Sequence, residues 1–186
     1  AAAVAAAWKL DLMPGYMKDR FIVLFDHSYE PLDAGWQQTR SLLTLGSGGI
    51  LGQGYLSGTQ TQSSYGTSLP ARWTDFIFSV AGEELGLIGC AAILLLLAAV
   101  VFRVLIVARN AQSPFHCYVC VGMAAMLIFQ IMINVGMCLF VMPVIGITLP
   151  FFSYGGSSVV TLFAAMGVVS GIKKRSPGMR RLSRAG

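Results

Sequence analysis

Three carboxylates stand where a polar loop gives way to a long apolar run. Asp75 marks the boundary, and Glu83 and Glu84 follow about two helical turns further into the apolar segment. Acids beside the hydrocarbon layer are energetically costly, so each is by default a functional-site hypothesis. The two glutamates could line a cavity and bind a sugar or a metal. Alternatively, they could be charges at a helix start that pair with an arginine elsewhere in the protein.

Two segments upstream of Asp75 could contribute to a site. Gly46–Gly58 reads GSGGILGQGYLSG, and glycine this dense permits close backbone approach to a ligand. A tight loop packed on the membrane surface explains these glycines equally well, and the phosphate-loop motifs fail because neither a strand nor a following lysine is present. Thr59–Ser68 is rich in hydroxyl and amide groups, which can hydrogen-bond a sugar but also occur in any exposed loop.

The composition around these residues predicts a membrane protein. The chain is 55% hydrophobic and only 11% charged, whereas about a quarter of the residues of a soluble domain are charged. From Asn110 to Ile172 there is no Asp, Glu, Lys or Arg. We therefore expect an all-α polytopic membrane protein whose complete spans are residues 76–109, 115–140 and 157–172.

The remaining segments follow from these spans. We expect residues 1–10 to be the end of a truncated transmembrane helix and the chain to be part of a longer protein, because this apolar stretch is too short to cross a bilayer. Residues 11–75 form a large extracellular loop in which Pro14–Phe25 and Asp33–Leu45 predict short interfacial helices, the second with Trp36, Leu42 and Leu43 on its apolar side. Residues 173–186 are a basic tail, which the positive-inside rule places in the cytoplasm. Topology explains this tail better than nucleic-acid binding does.

An interrupted apolar stretch, residues 141–156, joins the last two spans. Met142–Ser158 reads MPVIGITLPFFSYGGSS, and such prolines and glycines predict irregular backbone, which membrane proteins tolerate only where it is buried in protein or lines a cavity. Counting the crossings puts this segment on the same outer face as Asp75. Gln130 and Asn134 lie one turn apart on the preceding span, where amides typically hold helices together; lining a site is the alternative.

Three stretches resemble the SEDS family (shape, elongation, division and sporulation) of bacterial peptidoglycan glycosyltransferases. They are LPARWTDFIFSVAGEELG, GSGGILGQGYLSGTQTQ and PVIGITLPFFSYGGSS, in the family's order and together covering nearly the whole chain. The resemblance implies a fold of roughly ten transmembrane helices, with this chain as its C-terminal half. GTQTQ and PVIGITLP are more similar to the RodA (elongation) branch than to the FtsW (division) branch.

The resemblance implies that the protein polymerises lipid II, a disaccharide-pentapeptide on undecaprenyl diphosphate, into glycan strands at the outer face of the cytoplasmic membrane, for cell elongation and shape. Asp75 then corresponds to the essential carboxylate, acting as the base that takes the proton of the acceptor sugar hydroxyl. Arg72, and less directly Arg40, could offset the diphosphate charge, although Arg72 could equally be an interfacial anchor. The candidates for substrate binding are Arg72, Thr74, Gln60, Glu83, Glu84, Ser153, Gly155, Gly156 and Ser157.

The resemblance also implies what the protein works with. A divalent cation, Mg²⁺ or Mn²⁺, could assist the leaving diphosphate, with ligands that the sequence does not identify and no other cofactor expected. The implied partners are a class B penicillin-binding transpeptidase, other membrane proteins of the elongation complex and membrane lipids, with no nucleic acid. Trp73 stands where the family usually has His, and Ile145 replaces a common Thr or Lys.

Other functions fit parts of the same pattern. A lipid II flippase or transporter would also use broken helices and intramembrane polar groups, although it would place them near the midplane rather than at one face. A non-catalytic membrane scaffold and an FtsW-like division protein are further alternatives.

Overall fold

The computed structural model describes residues 35–62 and 69–175. The predicted span end at 1–10, the interfacial helix Pro14–Phe25, the helix start at Asp33 and the tail beyond residue 175 lie outside these residues. The described part contains four helices and no strand: α1 (Trp36–Ser47), α2 (Ile77–Arg109), α3 (Pro114–Cys138) and α4 (Gly156–Arg175). The last three are long and apolar enough to cross a membrane, which confirms the all-α membrane fold class.

The long helices begin and end within three residues of the predicted spans. The cause is local, because uninterrupted apolar runs of this length can satisfy their backbone groups in a bilayer as helices. Pro114 starts α3 at a position where its missing N–H removes no helical hydrogen bond. The short helix α1 differs from its prediction, since it continues through Gly46 to Ser47 instead of ending at Leu45.

Helix α2 is broken at Gly86, where we expected one continuous span. Gly86 has φ 68° and ψ −168°, a conformation that an L-residue side chain disfavours. In an unbroken helix the N–H groups of Leu87 and Ile88 would donate to the carbonyls of Glu83 and Glu84. The glycine-rich loop after α1 replaces these bonds with four of its own: Leu87 N to Gly49 O (3.0 Å), Ile88 N to Ile50 O (3.3 Å), Gln53 N to Glu83 O (2.8 Å) and Gly54 N to Glu84 O (3.1 Å).

The loop can lie in the break because it carries no bulky side chain at the contact. A Cβ atom on Gly52 would stand 2.2 Å from the carbonyl oxygen of Glu84, and one on Gly86 would stand 2.4 Å from the nitrogen of Gly52. Within the Gly46–Gly58 segment, Gly46 and Ser47 end α1, and the loop that follows is in close backbone contact with α2. The glycines serve helix–loop contact within the chain.

Helix α1 packs through a polar face. Gln38, Ser41 and Thr44 are buried, whereas Leu42 and Leu43 are 43% and 55% exposed. The Gln38 amide donates to the carbonyl of Met142 at 2.6 Å, and the Ser41 and Ser79 hydroxyls lie 2.7 Å apart. These bonds fix α1 to α2 and to the start of the irregular segment, so the predicted apolar side of α1 faces away from its neighbours in the described part of the chain.

Candidate active site

Asp75 lies in a tight turn immediately before α2. Ala71 has φ 47°, and its carbonyl accepts hydrogen bonds from the N–H groups of Thr74 and Asp75, both at 3.1 Å. The side chain of Asp75 is partly exposed, while the next residue, Phe76, is completely buried. The turn therefore holds the carboxylate at the edge of the apolar core.

Distant parts of the chain fix the backbone around Asp75. Three consecutive carbonyls each accept one hydrogen bond from the other side of the bundle. The bonds are Tyr154 N to Trp73 O (2.8 Å), Ser153 Oγ to Thr74 O (2.6 Å) and Asn134 Nδ2 to Asp75 O (2.8 Å). Because donors on α3 and on the irregular segment hold successive peptide groups, the main chain that carries the carboxylate is anchored at three points.

Asn134 makes hydrogen bonds to two separate segments of the site. Its side chain is completely buried, and its Nδ2 group donates both to Asp75 O and to Ile147 O at 2.8 Å. The amide therefore joins the turn before α2 to the irregular segment after α3, which refines the expectation that it holds helices together. Its Oδ1 atom and the Oε1 atom of Gln130 are buried without a hydrogen-bond partner among the described residues.

The irregular segment lies against Asp75, whereas the count of membrane crossings predicted only that the two share one face of the membrane. Gly146 has φ 77°, and a Cβ atom there would stand 3.6 Å from Asp75 Oδ2. Ser153 is buried, and its hydroxyl accepts from the N–H of Leu149 at 2.8 Å while it donates to Thr74 O. Ser153, a predicted binding residue, thus positions the backbone beside Asp75. Gly155, Gly156 and Ser157 follow at the start of α4, where Gly156 and Ser157 are exposed.

Glu83 has a role that neither sequence interpretation anticipated. Its carboxylate is completely buried and accepts four hydrogen bonds. Ser47 Oγ at the end of α1 donates to Oε1 (3.2 Å), and the loop that follows donates from Thr59 Oγ1 (3.3 Å) and Gln60 N (2.7 Å) to Oε1 and from Thr61 N (3.0 Å) to Oε2. Hydrogen bonds to a charged acceptor are stronger than neutral ones, so this carboxylate anchors the loop. A role for Glu83 in binding a sugar or a metal stays a prediction.

Glu84 differs from its neighbour. Its backbone carbonyl accepts from Gly54, and its side chain, 8% exposed, makes no hydrogen bond within the described ranges. A role for Glu84 in substrate binding stays a prediction.

Arg72 links the glutamate-anchored loop to the Asp75 turn. Its Nη1 donates to the carbonyl of Thr61, and its guanidinium lies over the Trp73 ring, 5.1 Å from the centroid. Arg40 donates to Gln60 Oε1 at 3.3 Å and lies over Trp36 at 5.8 Å. Neither arginine has a carboxylate partner in the described part of the chain.

The residues suit a divalent cation only in part. No group of three or more His, Cys, Asp or Glu side chains lies together within residues 35–62 and 69–175. Mg²⁺ commonly binds through one or two carboxylates together with substrate phosphates. Asp75 could supply one such carboxylate, and the remaining ligands would come from a bound diphosphate and water.

Sequence reasoning missed Gln38, whose amide fixes α1 to the irregular segment. The sequence did contain a signal for this polar face, because Gln38, Ser41 and Thr44 recur every third residue and form a polar stripe. The orientation of the helix was instead predicted from its apolar residues. Sequence reasoning also missed the three hydrogen bonds to the carbonyls of Trp73, Thr74 and Asp75, because a sequence pattern does not show which backbone carbonyls accept hydrogen bonds.

Comparison with known proteins gives consistent matches. The family model for the cell cycle proteins FtsW, RodA and SpoVE matches residues 1–177. Peptidoglycan glycosyltransferase MrdB of Escherichia coli K12 is 40% identical over 161 residues, which are 87% of this chain and 43% of that protein. Stage V sporulation protein E of Bacillus subtilis 168 is 41% identical over 147 residues, which are 79% of this chain and 39% of that protein.

Two solved structures share the fold. A chain from a study of how a peptidoglycan synthase complex coordinates polymerization and crosslinking superposes with a TM-score of 0.71 at 31% identity, covering 93% of this chain and 45% of that one. An aspartate-to-alanine mutant of the Thermus thermophilus rod shape determining protein RodA gives a TM-score of 0.55 at 34% identity, covering 74% of this chain and 40% of that one. The chain thus spans less than half the length of these relatives.

Proposed function

The chain belongs to the FtsW, RodA and SpoVE family of cell cycle proteins, and we propose that the protein containing it polymerises lipid II into peptidoglycan glycan strands. The observation that carries the proposal is the anchoring of Asp75, whose three neighbouring carbonyls are held by α3 and the irregular segment while its carboxylate stays partly exposed. Such anchoring suits a group that must meet a reacting atom in one geometry.

The proposed reaction is an inverting glycosyl transfer. The acceptor sugar hydroxyl attacks the anomeric carbon of the donor, a new glycosidic C–O bond forms, and the C–O bond to the diphosphate breaks with its electron pair leaving on the diphosphate. Asp75 takes the hydroxyl proton, a role that typically contributes about 10²–10⁴-fold in rate. No other energy source is needed, because the lipid-linked donor carries its own leaving group.

The leaving diphosphate needs positive charge, and the chain offers Arg72 and Arg40. Both guanidiniums lie on the side of the bundle that carries Asp75 and have no acid partner among the described residues. Fixed cations that meet developing negative charge lower the barrier without reorganising. A bound Mg²⁺ or Mn²⁺ would supplement this charge.

The setting of the reaction is also part of the proposal. The three apolar helices make this a membrane protein, and we place Asp75 at the outer face of the bacterial cytoplasmic membrane with the C-terminus in the cytoplasm. The relatives named for elongation and for sporulation are 40% and 41% identical. Since these values do not separate the branches, the elongation role rests on the RodA-like motifs.

The partner is proposed from the chemistry and from one related structure. Glycan strands must be crosslinked to form a wall, and the 0.71 TM-score match comes from a synthase complex that couples polymerization to crosslinking. We infer a transpeptidase partner of the class B penicillin-binding type, together with other membrane proteins of the elongation complex.

Product analysis on the purified full-length protein tests this function. With lipid II in proteoliposomes, we expect glycan polymer from the wild type and none above background from Asp75→Asn. Translocation of lipid II by a wild type that forms no polymer would instead support the flippase alternative. A well-folded wild type that neither polymerises nor translocates lipid II, with or without its transpeptidase, would support the scaffold alternative.

A further inference from the structure

A groove between α2 and α4 lies at the end of the bundle opposite Asp75. It is a cavity of about 150 Å³ to which α2 contributes Arg103 and α4 contributes Lys173 and Ser170. Apolar side chains including Val107, Met166 and Val169 form the rest of its lining. Two cations and a hydroxyl thus share one site with an apolar wall.

No acidic residue follows the first turns of α2 in the sequence, whereas several basic residues do. Glu84 is the last acidic residue of the chain. It precedes Arg103 by 19 residues, which along a helix is about 28 Å. Every later charged residue in the described part is basic: Arg103, Arg109, Lys173, Lys174 and Arg175.

Arg103 is placed deeper than the other cations. It stands six residues before the end of α2 at Arg109, about 9 Å further along the helix axis. A cation within the apolar part of a span is costly unless its side chain reaches the interface or an anion approaches it. Because Lys173 lines the same cavity, an anion there would meet two positive charges.

A phospholipid headgroup matches this combination of groups. A phosphate accepts the paired N–H groups of a guanidinium and interacts with an ammonium as a point charge. The acyl chains attached to it would lie against an apolar wall such as the one formed by Val107, Met166 and Val169. Basic pockets between transmembrane helices are known sites for anionic headgroups.

We propose that the α2–α4 groove binds the phosphate headgroup of an anionic phospholipid, with Arg103 and Lys173 as its cationic contacts and Ser170 as a hydroxyl donor. The proposal does not depend on the glycosyltransferase function, because the groove and Asp75 lie at opposite ends of the helices.

Two variants with the same net charge separate this site from general surface attraction. Arg103→Gln/Lys173→Gln removes both cations that line the groove, whereas Arg109→Gln/Lys174→Gln removes two neighbouring cations that do not line it. The full-length protein carrying each pair is titrated with phosphatidylglycerol and with phosphatidylcholine, and lipid binding is measured by native mass spectrometry. Thermal denaturation in phosphatidylcholine checks that each variant is folded.

We expect the groove pair to bind phosphatidylglycerol about 25-fold more weakly than the wild type, from roughly fivefold for each cation. The control pair should lose less than about threefold through the general field, and binding of phosphatidylcholine should not change. Equal losses in both pairs, or no loss in the groove pair, would overturn the proposal. If the groove pair does not fold, Arg103→Lys keeps the charge and should lose part of the affinity, since the planar fork is gone.

A competition arm distinguishes the two sources of phosphate. Inorganic phosphate and soluble glycerophosphoglycerol are added to protein loaded with phosphatidylglycerol. We expect neither to displace the lipid at millimolar concentration, because they lack acyl chains for the apolar wall. Displacement by inorganic phosphate at concentrations comparable with the lipid would overturn the assignment to a lipid.

Discussion

Replacing Asn134 by leucine tests how the fold holds the proposed base. The substitution keeps a side chain of similar size in a completely buried position and removes the Nδ2 group that donates to Asp75 O and Ile147 O, both at 2.8 Å. No other nitrogen or oxygen donor to Asp75 O is found among the described residues. A Cys138 thiol, 4.0 Å away, is its remaining contact.

The expected loss of stability can be worked from these contacts. A buried carbonyl that loses its donor costs about 1–3 kcal/mol, and two carbonyls are affected. The buried Oδ1 atom of Asn134 has no partner in the described chain, so removing it returns about the cost of one such group. The net destabilisation should therefore be about 1–3 kcal/mol.

The expected loss of activity is larger than the loss of stability suggests. A catalytic group displaced by about 1 Å can cost roughly 10²-fold in rate. We expect Asn134→Leu to lower kcat for lipid II polymerisation about 10–100-fold and to change KM less than about threefold. The assay is steady-state polymerisation by the folded full-length protein, together with hydrogen exchange of the backbone of residues 72–77, which should speed up.

Gln130→Leu is the matched control, because Gln130 lies one turn earlier on α3 and its Oε1 is also buried without a partner in the described part of the chain. It should leave kcat unchanged and leave stability unchanged or higher. Faster exchange at residues 72–77 with a normal kcat in Asn134→Leu would refute the positioning role while leaving the proposed function intact. An equal loss of kcat in both variants would show that the loss is not specific to Asn134 and follows from replacing either amide on this face of α3.

Three further perturbations follow from the site. Glu83→Gln should lower the free energy of unfolding by about 2–4 kcal/mol, because an amide cannot accept from all four donors that meet the carboxylate. Glu84→Gln should change it by less than about 1 kcal/mol, and equal thermal shifts in the two variants would contradict this. Gly86→Ala should cost about 2–5 kcal/mol through strain at positive φ and backbone overlap, whereas Gly122→Ala, which has open space, should be neutral or slightly stabilising in the same denaturation assay. Arg72→Gln should lower kcat about 10–100-fold while Arg72→Lys retains most of it, and similar losses in both would exclude a mainly electrostatic role.

The membrane spans could be predicted from the sequence because their signal is local. Each is a mostly apolar run close to the length that a bilayer crossing requires, and the helices end near the predicted positions. The same reasoning explains why the irregular segment was found, since its prolines and glycines interrupt such a run. The parity of the crossings then predicted that this segment and Asp75 share one face of the membrane, but it did not predict that they are in contact.

The break at Gly86 could not be predicted in this way. Glycine is common inside membrane helices, and the break depends on a loop more than thirty residues earlier that supplies four replacement hydrogen bonds. The role of Glu83 is hidden for the same reason, because its partners include the N–H groups of Gln60 and Thr61. Side-chain patterns record which residues are apolar, but they do not record which backbone groups need a partner.

The central claim is that the carboxylate of Asp75 acts as the base. Its most direct test is the single-turnover rate of glycan transfer from saturating lipid II by full-length Asp75→Asn, which keeps the shape of the side chain and removes its basicity. We predict a fall of at least about 10²-fold with lipid II affinity and thermal stability close to those of the wild type. A folded Asp75→Asn protein that binds lipid II and transfers it at the wild-type rate would contradict the account.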